Sequence, residues 1–284
     1  MKTIKFMAAA LCAATALGFT SCSDDDNNDG PVVPDVPGSA IETIFPEGLP
    51  ASVDGMNITK NAAGQVTKIV DNRETYTFEY GTFNRAEYQV KMTCVDSEYP
   101  DDGYTIYMQL DGNGRVSNAL QVYNDGDEDT WAFTYNADGR LTSLKRSEGG
   151  DEGGFEISEL TYTSGDATSV KTYEVDAKGQ VKPDNTDVYT ILYAKTGVNA
   201  IANKGGLMLF DVTLSVDLDE MDKAYYAGLL GKSTVNLPIE SRCQGASDYE
   251  TFDWTLNAKG LPTKMVATDH SEYGNYEDTY TFAW

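Results

Sequence analysis

A single histidine, His270, stands among 284 residues, and that alone removes a good deal of chemistry. A Ser-His-Asp triad, a histidine-built zinc site or a histidine general base would each have to use it. It lies in an acidic, polar stretch ahead of the Tyr280–Trp284 run, which predicts a solvent-exposed loop position. No serine sits in a Gly-x-Ser-x-Gly elbow, and no His-Glu-x-x-His occurs. Gly112-Asn113-Gly114 lacks the third glycine, the Lys-Ser/Thr and the helix of a phosphate loop, so it reads as a hairpin turn.

Carboxylates are the abundant reactive groups, 45 acidic residues against 21 basic ones. A field of that sign repels nucleic acid, which is excluded as a partner. Two carboxylates at a suitable separation suffice for glycoside hydrolysis, yet nothing in the spacing nominates a pair. Clustered acids are also hard-oxygen ligands for calcium. Asp125, Asp127 and Asp129 form the densest cluster inside the expected folded part, with Asp96, Glu98, Asp101 and Asp102 in the loop before it. Neither follows the EF-hand order, and solvated loops are the expectation for both. No cofactor is implied.

Eighteen tyrosines and three tryptophans supply the other chemistry, stacking against sugar rings. Most alternate along strands, where burying a sheet face accounts for them. Tyr99, Tyr104, Tyr273 and Tyr276 fall in expected loops and are the candidate ligand-binding aromatics.

The address is written in the first forty residues. Lys2 and Lys5 precede an apolar stretch from Phe6 to Leu17, too short to span a bilayer as a helix and laid out as a secretory signal. Phe19-Thr20-Ser21-Cys22 resembles a bacterial lipobox, which makes residues 1–21 the signal and Cys22 the lipidated first mature residue. Asp24, Asp25 and Asp26 open an acidic, proline-punctuated tether over 22–40 and resemble the surface-export signal of Bacteroidota lipoproteins. The expected location is the outer membrane, lipid-anchored and exposed at the cell surface, with the membrane as a partner through Cys22. Of the other cysteines, Cys12 leaves with the signal. Cys94 and Cys243 are either a disulfide or two free thiols.

Residues 41–284 read as one domain built from a repeated unit. In Trp131-Ala-Phe133-Thr-Tyr135-Asn136-Ala-Asp138-Gly139-Arg-Leu141, aromatics alternate with small residues, then a four-residue turn opens a second alternating run. The Asn/Asp-x-x-Gly turn recurs at Asn61–Gly64, Asp111–Gly114, Asp176–Gly179 and Asn257–Gly260. Its first residue bonds its own backbone and its glycine supplies the positive φ of a type I turn plus bulge. The fold class is therefore all-β with one short helix. Antiparallel hairpin repeats are expected to form a strongly twisted, curved sheet or partly open barrel. The helix is expected over Leu218–Gly231, packed on the sheet, with Tyr225 and Leu229 as core contacts.

The Tyr135–Leu141 run resembles the YD-repeat core of RHS-type proteins. With Tyr226–Ser233, Asn236–Pro238 and Leu256–Met265, the chain is similar to YD-repeat-like lipoproteins of Bacteroidota, a domain of unknown function. That resemblance implies a surface location and a β-rich fold, and no catalytic residues. The leading function is a non-enzymatic surface lipoprotein binding an extracellular ligand, a glycan first. A structural or accessory protein-binding component of an envelope complex comes second, and a carboxylate-dependent hydrolase third.

Overall fold

Local turn chemistry sets the architecture. The computed structural model describes residues 41–83, 87–148 and 153–284. At each of the five recurrent turns the Asn or Asp Oδ1 accepts the amides two and four residues on, as Asn136 does from Asp138 and Arg140, both at 3.0 Å. The glycine amide closes back on the first carbonyl, Gly139 N to Asn136 O at 3.0 Å, with φ of 86°. A register shift follows in the adjoining strand pair, between Thr134 and Tyr135, which is the bulge this turn demands.

The hairpins so made run β1 (Ser52–Val53), β2 (Met56–Lys60), β3 (Val66–Asp71), β4 (Glu74–Tyr80), β5 (Val90–Asp96) and β6 (Tyr104–Leu110). They continue as β7 (Val116–Tyr123), β8 (Glu128–Tyr135), β9 (Leu141–Glu148), β10 (Gly154–Thr163), β11 (Asp166–Asp176) and β12 (Val181–Leu192). After β13 (Ile201–Ala202) and β14 (Asn236–Leu237), which pair only with each other, come β15 (Glu240–Cys243), β16 (Tyr249–Leu256), β17 (Pro262–Ser271) and β18 (Gly274–Ala283). Each pairs antiparallel with its neighbours, β12 passes directly to β15, and β1 pairs with both β2 and β18. Sixteen strands thus close a barrel, so the expectation of a curved sheet or partly open barrel is corrected to full closure. Closure removes the unpaired edges that an open sheet of this size would expose.

The strand alternation expected at Trp131, Phe133 and Tyr135 is observed. Trp131 and Phe133 are buried and stack at 6.2 Å, while Thr130 and Thr134 face out. Inward positions carry Tyr76, Phe78, Val90, Met92, Ile106, Met108 and Phe252, all buried. Outward positions of the same strands carry Thr75, Thr77, Glu79, Lys91 and Thr93, with Lys91 and Glu79 ion-paired at 2.6 Å. A bilayer-spanning barrel needs the reverse, an apolar outer band about 25 Å tall. Those outward positions of β4 and β5 are polar or charged instead.

The lumen is filled by the chain between β12 and β15. Leu207, Met208, Phe210, Leu214, Val216, Leu218, Met221 and Leu230 are all buried, and Tyr225 is 0% exposed. This plug touches strands all round the wall. Leu229 O accepts the Val116 amide of β7 at 2.8 Å, Lys223 pairs with Asp71 of β3, and Asp219 pairs with Arg146 of β9. The helix expected over Leu218–Gly231 is corrected accordingly. It is a 3-10 turn, Asp219–Met221, running into one short helix over Asp222–Tyr226, and it lies inside the barrel. Burial on every side removes the one-faced periodicity of a helix lying on a sheet. Tyr225 and Leu229 are core contacts, as expected. Two further short helices are α1 (Ile41–Ile44) and α2 (Phe210–Leu214).

Candidate functional site

Strand direction sorts the loops onto two ends. One end holds the turns at Asn61, Asp111, Asn136, Ser164 and Asn257, together with both passages of the chain into and out of the plug. The other holds the turns at Asp54, Asn72, Asn124, Asp176 and Ser271 and the loop from Ser97 to Gly103. The tip of the plug, Asp217–Asp222, reaches this second end. The acidity is concentrated there, in Asp101, Asp102, Asp125, Asp127, Asp248 and Glu272 on the rim and in the mouth below them.

The mouth holds a cavity of about 500 Å³ between the plug tip and β1 to β4. Asp54, Asp71, Glu74, Asp211, Asp217, Asp219, Glu220 and Asp222 line it, with Lys223 as the lining cation. Tyr76, Tyr104, Phe210, Tyr226 and Tyr280 supply aromatic wall. Asp211 and Tyr280 also border a second groove that adds Glu250, Asp269, Asp278 and Tyr276.

Electrostatics at the mouth are set by crowding. Lys223 donates to Asp222 Oδ2 at 2.9 Å, meets Asp71 Oδ2 at 3.1 Å and stands 5.3 Å from the Tyr76 ring centre. Burial works against its charge, but Asp222 and Asp71 outweigh that and hold its pKa up. Arg146 stands likewise among acids, 2.6 Å from Asp219 and 3.8 Å from Asp217, and burial works against its charge while they outweigh that and hold its pKa up. The remaining acids are under-neutralised. Burial, then Asp219 beside it, pushes Glu220 up to about 7. Burial also raises Asp211, with Asp217 adding to it, and raises Glu250, with Asp269, Asp211 and Asp278 adding. Glu220 Oε2 and Asp222 Oδ1 are shut off from solvent without a hydrogen-bond partner. The site therefore holds negative charge in excess of its own cations, against tyrosine faces that attract cations further.

All four candidate tyrosines lie at this end, though not all in loops. Tyr99 caps the 3-10 turn Pro100–Asp102 and packs under Arg73 at 5.0 Å, and Tyr273, in the β17–β18 turn, is 81% exposed. Tyr104 is corrected from loop to strand. It opens β6, faces inward, is buried and contacts Tyr123 edge-on at 6.1 Å. Tyr276 belongs to β18 and lines the groove. Sequence reasoning missed the plug-tip acids, because Asp217, Asp219 and Glu220 fall where the first turn of the expected helix favours acids in any case.

His270 is corrected likewise. It stands in β17, half-buried, stacked on Tyr249 at 4.5 Å, with Nε2 2.9 Å from Thr251 Oγ1. The structure does not assemble Asp125, Asp127 and Asp129 into a cation site. Asp125 Oδ1 accepts the Asp127 amide, and Asp129 accepts the hydroxyls of Tyr123 and Ser147. Among the described residues no group of three such side chains has metal-holding geometry. Cys94 is buried and Cys243 half-buried, both free thiols, and burial pushes Cys94 up to about 11. Cys22, Asp24, Asp25 and Asp26 lie outside the described residues.

Comparison with known proteins agrees with the barrel and overturns one resemblance. No curated protein matches the chain. A crystal structure of a porin-like protein from Bacteroides uniformis ATCC 8492 superposes with a TM-score of 0.58 at 18% identity, over 80% of this chain and 88% of that one. A second, of a porin-like protein from Bacteroides vulgatus ATCC 8482, gives 0.50 at 10% identity, over 83% and 98%. The comparisons give no evidence of YD or RHS repeats and point to a porin-like fold instead, so the likeness to YD-repeat lipoproteins is withdrawn. The Tyr135–Leu141 run that suggested it is a turn that any type I hairpin with a glycine bulge shares. The model of a domain of unknown function with porin-like fold, DUF4595, matches residues 56–264, and the chain belongs to that family.

Proposed function

We propose that this chain is a non-enzymatic, lipid-anchored envelope protein that binds a cationic extracellular ligand in the acidic mouth of its plugged barrel. An amino-bearing glycan is the first candidate. The observation that carries the reading is the cavity at the plug tip, where eight carboxylates share one lining lysine among tyrosine faces. Lys223 already shows the binding mode in miniature, an ammonium held by two carboxylates beside a tyrosine ring. The filled lumen argues for holding a ligand and against passing one through. The closed sheet pairs each of its sixteen strands on both sides, which leaves a protein-binding accessory role only a curved face or a short unpaired stretch of strand to use.

A carboxylate-dependent hydrolase is the second reading, favoured by Glu220 being pushed up to about 7, a general acid's range. Its weakness is the partner. Asp219 is tied to Arg146, and Asp71 and Asp222 to Lys223, so the neighbouring carboxylates are already engaged.

The test is a thermal-shift panel on a soluble form beginning at Gly38, with glucosamine oligosaccharides, their N-acetylated counterparts and neutral glycans. Binding to the folded state alone raises the melting temperature by mass action. The expected result is a shift with free amines that disappears on N-acetylation and in Asp222→Asn. Equal shifts from acetylated and free sugars, or none from any amine, would overturn the reading. Release of shorter sugars that stops in Glu220→Gln would establish the hydrolase instead.

A further inference from the structure

The barrel closes with a notch beside its mouth. β17 pairs with β18 from Ser271–Gly274 down to Lys264–Thr281, whereas β1 meets β18 only at Val53–Phe282 and Ser52–Ala283. From Gly274 to Tyr280, β18 therefore has a strand on one side and, among the described residues, none on the other. Its exposure agrees, since Gly274 to Thr279 are exposed at every position instead of alternating. On the open side Asp54 N bonds Thr281 O and Ala51 N bonds Ala283 O. The two-residue period of a strand then aims the amides and carbonyls of Asn275, Glu277 and Thr279 the same way. None of these groups is bonded within the described chain. β12 overhangs β15 in a similar manner, pairing with it only from Tyr189 to Leu192. That overhang holds Lys182 and Pro183, residue types that discourage strand addition. β18 holds neither type between Gly274 and Tyr280.

The inner face of the same stretch carries charge. Tyr276, Asp278 and Tyr280 line a groove of about 410 Å³ with Asp211, Glu250 and Asp269, and no lysine or arginine lines it. Burial, with Asp269, Asp211 and Asp278 around it, raises Glu250, the mark of carboxylates short of a counter-charge. We infer that the free edge of β18 takes up an extended peptide segment as an added antiparallel strand, one with lysine or arginine at every second residue. Antiparallel addition continues the direction of β1, whose turn at Asp54 leaves this stretch of β18 uncovered. Residues directly opposite across such a pair share a face, so those facing Tyr276, Asp278 and Tyr280 lie over the carboxylates. The intervening residues face Asn275, Glu277 and Thr279 and make the ladder bonds. Backbone pairing supplies affinity, and the acids choose the alternate side chains. A second copy of this chain is a poor occupant, because its own β18 brings Glu277 and Asp278 against the same acids. The site is distinct from the cavity at the plug tip, although Asp211 and Tyr280 border both.

The experiment measures the fluorescence anisotropy of a dye-labelled heptapeptide, alternating lysine with threonine, against the full chain in a non-ionic detergent. Saturable binding is expected. Methylating the threonine amides, which face β18 when the lysines face the groove, should weaken it about tenfold or more. Methylating the lysine amides, which point away, should leave the affinity within about twofold. A peptide of the same composition with its lysines grouped should bind several-fold more weakly. These peptides leave the fold untouched. On the protein, Glu277→Pro removes an edge amide without removing a bond to β17, and it should weaken binding to a similar degree. So should Glu250→Gln combined with Asp278→Asn. Absence of binding, or equal affinity for the threonine-methylated or the grouped peptide, would overturn the inference. The thermal shift with glucosamine oligosaccharides should persist in Glu277→Pro and vanish in Asp222→Asn, so this reading and the cavity reading fail separately.

Discussion

Replacing Tyr225 tests whether the plug is the core of the barrel. Its ring is 0% exposed and meets Phe45, Phe210 and Tyr226 edge-on at 5.5, 5.2 and 5.3 Å. Its hydroxyl donates to Gly206 O at 2.5 Å. Tyr225→Phe keeps the ring and strands that carbonyl, a loss of about 1–2 kcal/mol. Tyr225→Ala also opens a cavity in a packed site, a loss of about 3–5 kcal/mol. At roughly 2–4 °C per kcal/mol for a domain of this size, the first should lower the melting temperature by a few degrees and the second by about 10 °C or more. Differential scanning fluorimetry gives both values, and near-ultraviolet circular dichroism reports the aromatic cluster directly. A Tyr225→Ala protein melting within about 2 °C of the parent would mean the plug adds little to the fold, and the filled-lumen argument would fail.

Three further outcomes are expected. Glu220 is raised from an ordinary carboxyl value of 4.5 to about 7, so between those values the folded state holds a proton the unfolded chain has lost. Its contribution to stability is full below 4.5 and declines as pH rises through 7. Glu220→Gln should flatten that region of the melting-temperature profile, and an unchanged profile would contradict the assignment. A Cβ on Gly205 would fall 2.1 Å from the Trp284 ring, whose Nε1 donates to Pro262 O at 2.6 Å. Gly205→Ala and Trp284→Ala should each destabilise, and the double variant should lose clearly less than their sum. In the soluble form from Gly38, a thiol reagent should titrate Cys243 in minutes and Cys94 only on unfolding; rapid reaction of both would contradict the burial of Cys94.

The hairpins were legible because their determinants are local. Asn136 and Asp111 bond amides two and four residues away, and Trp131 and Phe133 alternate within one strand. Closure was not legible, because it depends on Ser52 meeting Ala283, a pairing no window of sequence contains. Nor was the plug. Its spacing over Leu218–Gly231 suggested a helix lying on a sheet, and no local signal shows that the wall encloses Leu207 to Leu230, burying apolar residues such as Leu214, Leu218, Tyr225 and Leu230 inside the barrel. The candidate site suffered from both. Tyr104 and Tyr276 looked like loop residues until their strands were paired. The plug-tip acids became a site only when closure carried Asp71 and Glu74 to them.

The pairing of β1 with β18 also governs how the molecule comes together and comes apart. Every other junction in the wall except the β12–β15 passage is a short local hairpin, whereas this seam joins residues more than two hundred positions apart. Closing a loop of that length costs roughly 5 kcal/mol of chain entropy before any contact repays it. Yet β1 is only two residues long, anchored by ladder bonds such as Asp54 N to Thr281 O at 2.7 Å and Ala51 N to Ala283 O at 2.8 Å. The zip is therefore the last junction to form during folding and the first to separate under thermal motion. Hydrogen exchange should find amides 51, 54 and 281 trading with solvent long before those of β10 and β11, whose ladder runs ten residues.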